Sequence, residues 1–530
     1  MAAVAVAAVD AGVVVAAVVA PVAVLAADRS KVAGRFRALL LAALGTTAPF
    51  ATAQERTASA PEGDSAARAL AAILADPLYR NSRWGVLAVD VTDGRRLLAH
   101  REREVFLTAS SLKLVATACA LAELRAEHRF RTELWAHGEL RSGTLHGDLF
   151  LRGSGDPSFG GALEAPGGAA FDAFGAAVLD AGIARIRGRV LGDDSAQEER
   201  GFGHGWAWDD QHAWYAAPLS GLCYRENVFT AVVEWPLDER HPRLRAEPPC
   251  SLLELLPPVQ VRAVAPAEAP AIEFWRSPGT HRYRARGALE PGGKAWRYDL
   301  CVEDPALYAA ASFADLLSAR GCRFELPRPF QARCGVGELP QASRLLAVWH
   351  SPALGELVRR TNTASQNLYA EQLLRAAAKR FGGRADIETA RRLVAAYLRA
   401  WGGDPADGFL ADGSGLSREN LMAPEAFVAL LRAQLEAPHA TVFFDSLPIG
   451  GRTGTLRERL GDLPVGIELR AKTGSLTRVK ALCGYLTRRG EVRRVFSILV
   501  NDTTRADGEE VKRDIDRLVL ALAEDLARES

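Results

Sequence analysis

Thr108-Ala109-Ser110-Ser111-Leu112-Lys113 runs directly into Leu114-Val115-Ala116-Thr117-Ala118-Cys119-Ala120-Leu121-Ala122-Glu123-Leu124, a stretch apolar almost all round. A helix of that kind is buried in the middle of a domain rather than laid on its surface. Three residues along a helix return to the same face, so Lys113 comes within reach of Ser110. A serine hydroxyl is a poor nucleophile until a neighbouring base takes its proton, and burial turns lysine into such a base by disfavouring its charged form. The pattern by itself is weak, because a chain of this size holds about one Ser-x-x-Lys by chance. It gains weight from composition: only seven of the 65 basic residues are lysines, and only Lys113 has a serine three positions before it. Arginine cannot lose its proton in a protein, so the lysines are where base chemistry is to be sought.

Two later segments supply partners. Ser365-Gln366-Asn367 lies between helical segments, and Lys472-Thr473-Gly474-Ser475 opens a strand-like stretch. A second hydroxyl and an amide near the nucleophile relay a proton and hold a substrate amide. A lysine with hydroxyls on a strand edge binds a carboxylate. In order, S-x-x-K, S-x-N and K-T-G are the set found in class A β-lactamases and penicillin-binding proteins.

Around these motifs the texture of the chain changes twice. Residues 64–78 carry an apolar repeat at helical spacing with Asp64 as cap, and 86–91 and 97–99 flank a Thr92-Asp93-Gly94 turn as a hairpin. From about 136 to 340 short alternating runs are broken by Gly and Pro, which predicts a β-rich insertion of two subdomains with internal boundaries at Pro257-Pro258 and 266–270. Its tryptophans Trp206, Trp208 and Trp214 are read as core or rim packing. The helical period then returns over 354–360, 368–380 and 387–401. The end is two strands, 481–488 and 495–500, and a helix over 508–528. Pairing these strands with the N-terminal hairpin makes one antiparallel sheet from both ends of the chain. The predicted fold is therefore α/β (α+β), one domain of 62–135 and 341–530 whose sheet is flanked by helices and interrupted by the insertion 136–340; the motif set above makes it a serine β-lactamase/DD-peptidase-like domain.

Composition of 48% hydrophobic and 24% charged residues is that of a globular protein, and a net charge of +1 gives no reason to expect nucleic acid. Residues 1–53 stand apart as an Ala/Val run, then Arg29, Lys31, Arg35 and Arg37, then a second apolar run ending Ala51-Thr52-Ala53. This reads as a secretory signal cleaved before Gln54, with the first run either an anchor or the product of a start codon placed too far upstream. Export to the periplasm or cell envelope follows, leaving room for peripheral membrane association. Seven cysteines in an exported chain are candidates for disulfides, Cys322 with Cys334 and Cys250 with Cys301 by proximity; Cys119 and Cys483 are expected as packed thiols. No Cys or His cluster calls for a metal, and no cofactor is implied.

The chain resembles the D-alanyl-D-alanine carboxypeptidase/endopeptidases of the penicillin-binding protein 4 type, peptidase family S13. The resemblance is carried by Thr108 to Lys113, by Ser365-Gln366-Asn367-Leu368-Tyr369-Ala370-Glu371, by Asp412-Gly413-Ser414-Gly415-Leu416-Ser417-Arg418, by Ser446-Leu447-Pro448-Ile449-Gly450-Gly451 with Gly454-Thr455-Leu456, and by Lys472 to Leu476. The roughly 250 residues between the first two motifs also match this family, whereas a class A β-lactamase has a far shorter gap. The resemblance implies hydrolysis of peptidoglycan stem peptides and cross-links through an acyl-enzyme that β-lactams trap. It makes Ser110 the acylated nucleophile, Lys113 its base, Ser365 the proton shuttle and Asn367 a ligand of the substrate amide. Lys472, Thr473 and Gly474 would take the terminal carboxylate, and the backbone N–H groups of Ser110 and Ser475 would form the oxyanion hole. Arg418 and an acidic residue of the insertion, Asp193 or Asp194, would recognise a zwitterionic side-chain end. The chain departs from the family at Gln366, where aspartate is commoner, and near Gln197, where an aromatic is usual. A β-lactamase and a non-catalytic wall-binding or sensor protein are the competing readings. The first lacks a recognisable deacylating carboxylate, and the second would have lost Ser110, Lys113 or Lys472.

Overall fold

Segments 83–100 and 467–501 meet in one five-stranded antiparallel sheet. The computed structural model describes residues 65–163, 169–258, 260–264, 271–325, 334–504 and 508–529. The apolar segment 1–53, the expected cleavage before Gln54, the Asp64 cap and the boundary at 266–270 lie outside the described residues. In this sheet and its helical layers we number β1 (Arg83–Asp90), β2 (Arg96–His100), β3 (Ile467–Leu476), β4 (Val479–Arg488) and β5 (Glu491–Asn501). The helices are α1 (Ser65–Ala75), α2 (Lys113–Leu124), α3 (Leu354–Thr363), α4 (Asn367–Gly382), α5 (Ile387–Ala400), α6 (Pro424–Leu435) and α7 (Glu509–Arg528). The strand order is β2-β1-β5-β4-β3. The expected hairpin is β1 with β2, where Leu87 faces Ala99, and β1 then lies along β5 with Leu87 opposite Ser497.

Alternation along the strands decides which layer each residue joins. Trp84, Val86 and Ala88 of β1, Leu482 and Leu486 of β4, and Phe496, Ile498 and Val500 of β5 pack under α1 and α7. Leu87, Val89, Ala481, Cys483, Tyr485, Val495 and Leu499 face the opposite layer, with α2 at its centre. Because both faces are covered, β5 reads as the almost unbroken apolar run Val495 to Val500. The terminal helices are tied by Asp525, whose carboxylate accepts from the Ser65 and Ala66 amides at 3.1 and 2.9 Å, capping α1 from the far end of the chain.

The β-rich insertion also holds two α-helices among its described residues. It carries the helices Ala169–Asp180 and Pro305–Ala319 beside its sheets, and the second is buried over most of its length. Its start is a cap signal that the β-rich reading passed over: Asp304 accepts from the Leu307 amide at 2.9 Å and Pro305 occupies the first helical position. A seven-stranded sheet includes Arg131–Arg141, which crosses the expected boundary at 136, and Arg344–His350, which lies just beyond the one at 340, so the insertion's sheet runs past both. Pro257-Pro258 does not end a subdomain; it falls between the strands Glu254–Leu255 and Gln260–Ala263, which both pair with Arg282–Leu289.

Neither expected disulfide forms. Cys250, Cys301 and Cys322 are buried thiols. The Cys301 thiol donates to the Gln211 carbonyl at 3.1 Å, and the Cys250 sulfur accepts from the Ser312 hydroxyl at 3.5 Å, so each sulfur has a partner other than the one that chain proximity suggested. Cys119 and Cys483 sit in the core as expected. Of the tryptophans, Trp206 is buried while Trp208 and Trp214 are largely exposed. No helix among the described residues is long and apolar enough to cross a membrane.

Candidate active site

The turn Ala109–Leu112 leads into α2 and presents Ser110 at the edge of the sheet. Ala109 holds φ of 45°, a costly left-handed conformation for a residue with a side chain, of the kind that accumulates at functional sites. Lys113, fully buried as the first residue of α2, places Nζ 2.8 Å from the Ser110 hydroxyl oxygen and donates to the Ser414 carbonyl at 2.6 Å. Burial lowers the Lys113 amine to about 7, against the opposing pull of the Asp412 and Glu371 carboxylates. A neutral amine has a lone pair for the serine proton and an N–H for Ser414.

Strand β3 runs along this turn and carries Lys472 in its interior, five residues after the strand begins rather than at its opening. A Cβ on Gly474 would lie 2.8 Å from the Thr108 carbonyl oxygen, so only glycine lets the strand approach the nucleophile's turn this closely. Lys472 is fully buried, and its Nζ donates to the Ser365 hydroxyl and to the Thr473 carbonyl, each at 2.9 Å. Desolvation first, and the nearby Lys113 second, push its amine well below the usual lysine range. Two amines packed this deeply cannot both carry charge cheaply. Ser365 itself holds φ of 58°, a second left-handed residue at the site. Thr473 donates its hydroxyl to Thr455 at 2.7 Å, and Lys480 donates to the Ser475 hydroxyl at 2.6 Å.

The structure thus gathers Ser110, Lys113, Ser365, Lys472 and the Thr473-Gly474-Ser475 edge into one cluster. Asn367 begins α4 beside it, its amide nitrogen donating to the Tyr215 carbonyl of the insertion at 2.6 Å. Arg418 is exposed and donates to the Thr477 carbonyl at 3.0 Å, on the turn just past Ser475. Asp193 is committed elsewhere. It ends the strand Val190–Asp193, and its buried carboxylate accepts from the Ser195 and Leu339 amides, both at 3.0 Å. Asp194 pairs with Arg200 at 3.2 Å, again within the insertion. Gln197 is buried against Gln372 of α4 in a side-chain hydrogen bond.

Two carboxylates given no role from the sequence hold the nucleophile's base in place. Glu371, fully buried on α4, accepts from the Gly413 and Ser414 amides and pairs with Arg375 at 2.5 Å. Asp412 accepts from the Gly415 and Ser417 amides at 2.7 and 2.6 Å, and from the Trp206 indole of the insertion at 2.9 Å. Together they shape the loop 412–417 so that Ser414 offers its carbonyl to Lys113. Gly415, with φ of 83°, is pressed so close that a Cβ would meet the Ala109 carbonyl oxygen at 1.8 Å. The legible traces of this support were the two quoted motifs in which Glu371 and Asp412 stand and the Glu371/Arg375 spacing of four, an ion-pair signature on a helix.

A sequence profile of the D-Ala-D-Ala carboxypeptidase 3 (S13) family matches residues 66–522. The chain belongs to that family. Its relatives include the D-alanyl-D-alanine carboxypeptidase of Actinomadura sp., 32% identical over 81% of this chain and 80% of the relative. The D-alanyl-D-alanine carboxypeptidase DacB of Haemophilus influenzae is 26% identical over 79% of this chain and 85% of its own length. The fold is that of the crystal structure of penicillin binding protein 4 from Haemophilus influenzae: TM-score 0.70 at 24% identity, covering 85% of this chain and 98% of that one. A structure of the same Haemophilus protein complexed with a β-lactam superposes with TM-score 0.66 at 22% identity, covering 84% and 97%. This S13 member carries S-x-x-K, S-x-N and K-T-G in order and a hydroxyl–amine pair at bonding distance.

Proposed function

We propose that this S13 chain is a serine D-Ala-D-Ala carboxypeptidase that works through an ester at Ser110. The observation that carries the reading is the 2.8 Å contact between the Ser110 hydroxyl and an amine that burial keeps near neutrality. In this reading neutral Lys113 takes the serine proton as Oγ attacks the carbonyl of the penultimate D-Ala. The oxyanion is held by the Ser110 and Ser475 amides, and the terminal D-Ala amine leaves with the proton that Lys113 took, handed on through Ser365, whose hydroxyl the Lys472 amine holds. Water then attacks the ester and frees Ser110. Lys472, Thr473 and Gly474 with Ser475 line the berth for the terminal carboxylate, Asn367 faces the substrate peptide, and Arg418 stands at the rim. The same steps applied to a D-Ala-diaminopimelate bond would make the enzyme an endopeptidase of peptidoglycan cross-links. The buried partners of Asp193 favour a supporting role for it over contact with the substrate. The apolar segments before Gln54 support action outside the cytoplasm, on the cell wall.

Incubation with a fluorescent penicillin tests this. A long-lived adduct on the peptide containing Ser110, together with release of D-Ala from a D-Ala-D-Ala peptide, is the expected result. Rapid turnover of the penicillin would make the protein a β-lactamase, and no adduct would make it a non-catalytic wall binder.

The pH dependence has a definite sign. The base form of Lys113 is the uncharged one, so the acylation rate should climb about tenfold per pH unit below about pH 7 and level off above it, when followed from about pH 5 to about pH 9. A rate that falls with rising pH across that window would remove Lys113 as the base.

A further inference from the structure

The insertion reaches into the relay motif through one carboxylate. Glu226, on the segment Arg225–Asn227, accepts from the Gln366 side-chain amide at 2.5 Å, from the Tyr369 hydroxyl at 3.2 Å and from Arg360 at 3.4 Å. These three partners lie on α3, on α4 and at the turn between them, where Ser365 sits. The segment that delivers Glu226 is itself strained: Arg225, Glu226 and Asn227 hold φ of 52°, 59° and 59°, three left-handed residues in succession with no glycine among them. Such a run persists only where its surroundings over-determine it. Here Asn227, fully buried, accepts from the Tyr224 amide at 3.1 Å and donates to the Pro218 carbonyl at 2.8 Å, while the Arg225 amide donates to the Phe159 carbonyl at 2.8 Å. The strain is maintained at a place whose outward product is a carboxylate set against the residue next to Ser365.

We propose that Glu226 is a positioning residue for acyl transfer: by fixing Gln366 it holds Ser365 in the left-handed turn that keeps the serine hydroxyl on Lys472. Gln366 caps α4, its own amide donates to the Thr361 carbonyl at 3.1 Å, and its side chain is pulled to Glu226. The peptide between residues 365 and 366 is thereby clamped from both sides. Loss of the clamp lets Ser365 relax toward ordinary backbone angles, which swings its hydroxyl off the Lys472 amine. The insertion is on this account part of the catalytic apparatus.

The proposal rests on the reading of Ser110 as nucleophile and Ser365 as the group that hands a proton to the leaving amine. That role gives a readout that general loosening would not move. A peptide must leave as a protonated amine, whereas a thioester with the same acyl group expels a thiolate that needs no proton. Glu226→Ala and Gln366→Glu, the latter setting like charges face to face, should each lower kcat on a D-Ala-D-Ala peptide by about 10- to 100-fold with KM within about 3-fold, and leave the thioester rate within about 3-fold. Glu226→Gln keeps an acceptor for Gln366 and should retain at least about a third of the peptide rate. The exchanged pair E226Q/Q366E restores a carboxylate facing an amide and should recover most of what Q366E loses. Equal losses on peptide and thioester, no loss in E226A and Q366E, or failure of the exchange to recover the rate would each overturn the proposal. Should E226A not fold, Q366E and its exchange carry the test. Wild-type protein inert on both substrates would instead refute the serine carboxypeptidase reading itself.

Discussion

Lys113→Met is expected to slow acylation by about 10³-fold or more and, in the same variant, to raise the melting temperature. Methionine nearly matches the length of lysine and is at home in the apolar surroundings of α2, so packing is conserved while the amine disappears. The serine then has no base at 2.8 Å, and its proton must go to water. The gain in stability comes from the same feature: the amine is wholly buried, and its charged form is disfavoured there relative to the unfolded chain. The pH dependence of the gain follows from linkage. Between about 7, the folded value, and 10.5, the ordinary value, the unfolded chain binds the extra proton, so the wild-type protein gains stability as pH rises through that window. The methionine variant has no such proton to gain or lose. Its advantage, about 1–3 kcal/mol, should be fully present below about pH 7 and fade toward pH 10.5. Calorimetry at several pH values alongside the rate of penicillin labelling checks both halves. Unchanged labelling in Lys113→Met would remove Lys113 from the chemistry, and a destabilised variant would show that the amine's contacts to Ser110 and Ser414 outweigh its desolvation.

Which parts of this site can be read from the letters depends on how locally each contact is encoded. Ser110 and Lys113 share one helical turn, and their pairing follows from a spacing of three. The nearly unbroken apolar runs of β4 and β5 likewise announce strands covered on both faces, and α3, α4, α5 and α7 appear where the helical period predicts them. Lys472 is legible only through its motif, because the hydrogen bond to Ser365 spans 107 positions of sequence. Glu226 had no signature at all, and neither the packing read for Trp206 nor the motif that opens with Asp412 announced their contact: each does its work across a junction between insertion and surrounding domain that no local pattern describes. The two expected disulfides failed for the complementary reason, since nearness along the chain says nothing about where a strand or loop turns its sulfur. The short helix signal at Asp304-Pro305 was present in the letters and was masked by the Gly- and Pro-rich texture around it.

Glu371→Leu should be the most destabilising single change near the site, at about 3–5 kcal/mol, and should also slow acylation. Glu371 is fully buried, and burial together with the neighbouring Asp412 pushes its carboxyl above the usual range. It remains in place because Arg375 lies 2.5 Å away and because the Gly413 and Ser414 amides point at it. Leucine leaves those two amides without their acceptor and Arg375 with only Glu199, at 2.8 Å, as a carboxylate partner. The loop 412–417 then loses one of the two carboxylates that shape it, and the Ser414 carbonyl is no longer held against Lys113. Acylation falls because the amine loses the contact that orients its lone pair toward Ser110, so the rate defect should persist at temperatures where the variant is fully folded. Removing the cation as well, in Glu371→Leu with Arg375→Met, should restore part of the stability, since an apolar pair can replace a buried ion pair. It should leave the acylation defect in place, because the Ser414 amide still has no acceptor. Denaturant unfolding and labelling rates measured on the single and double variants separate the two effects; recovery of both together would mean that Glu371 acts on the serine only through global stability.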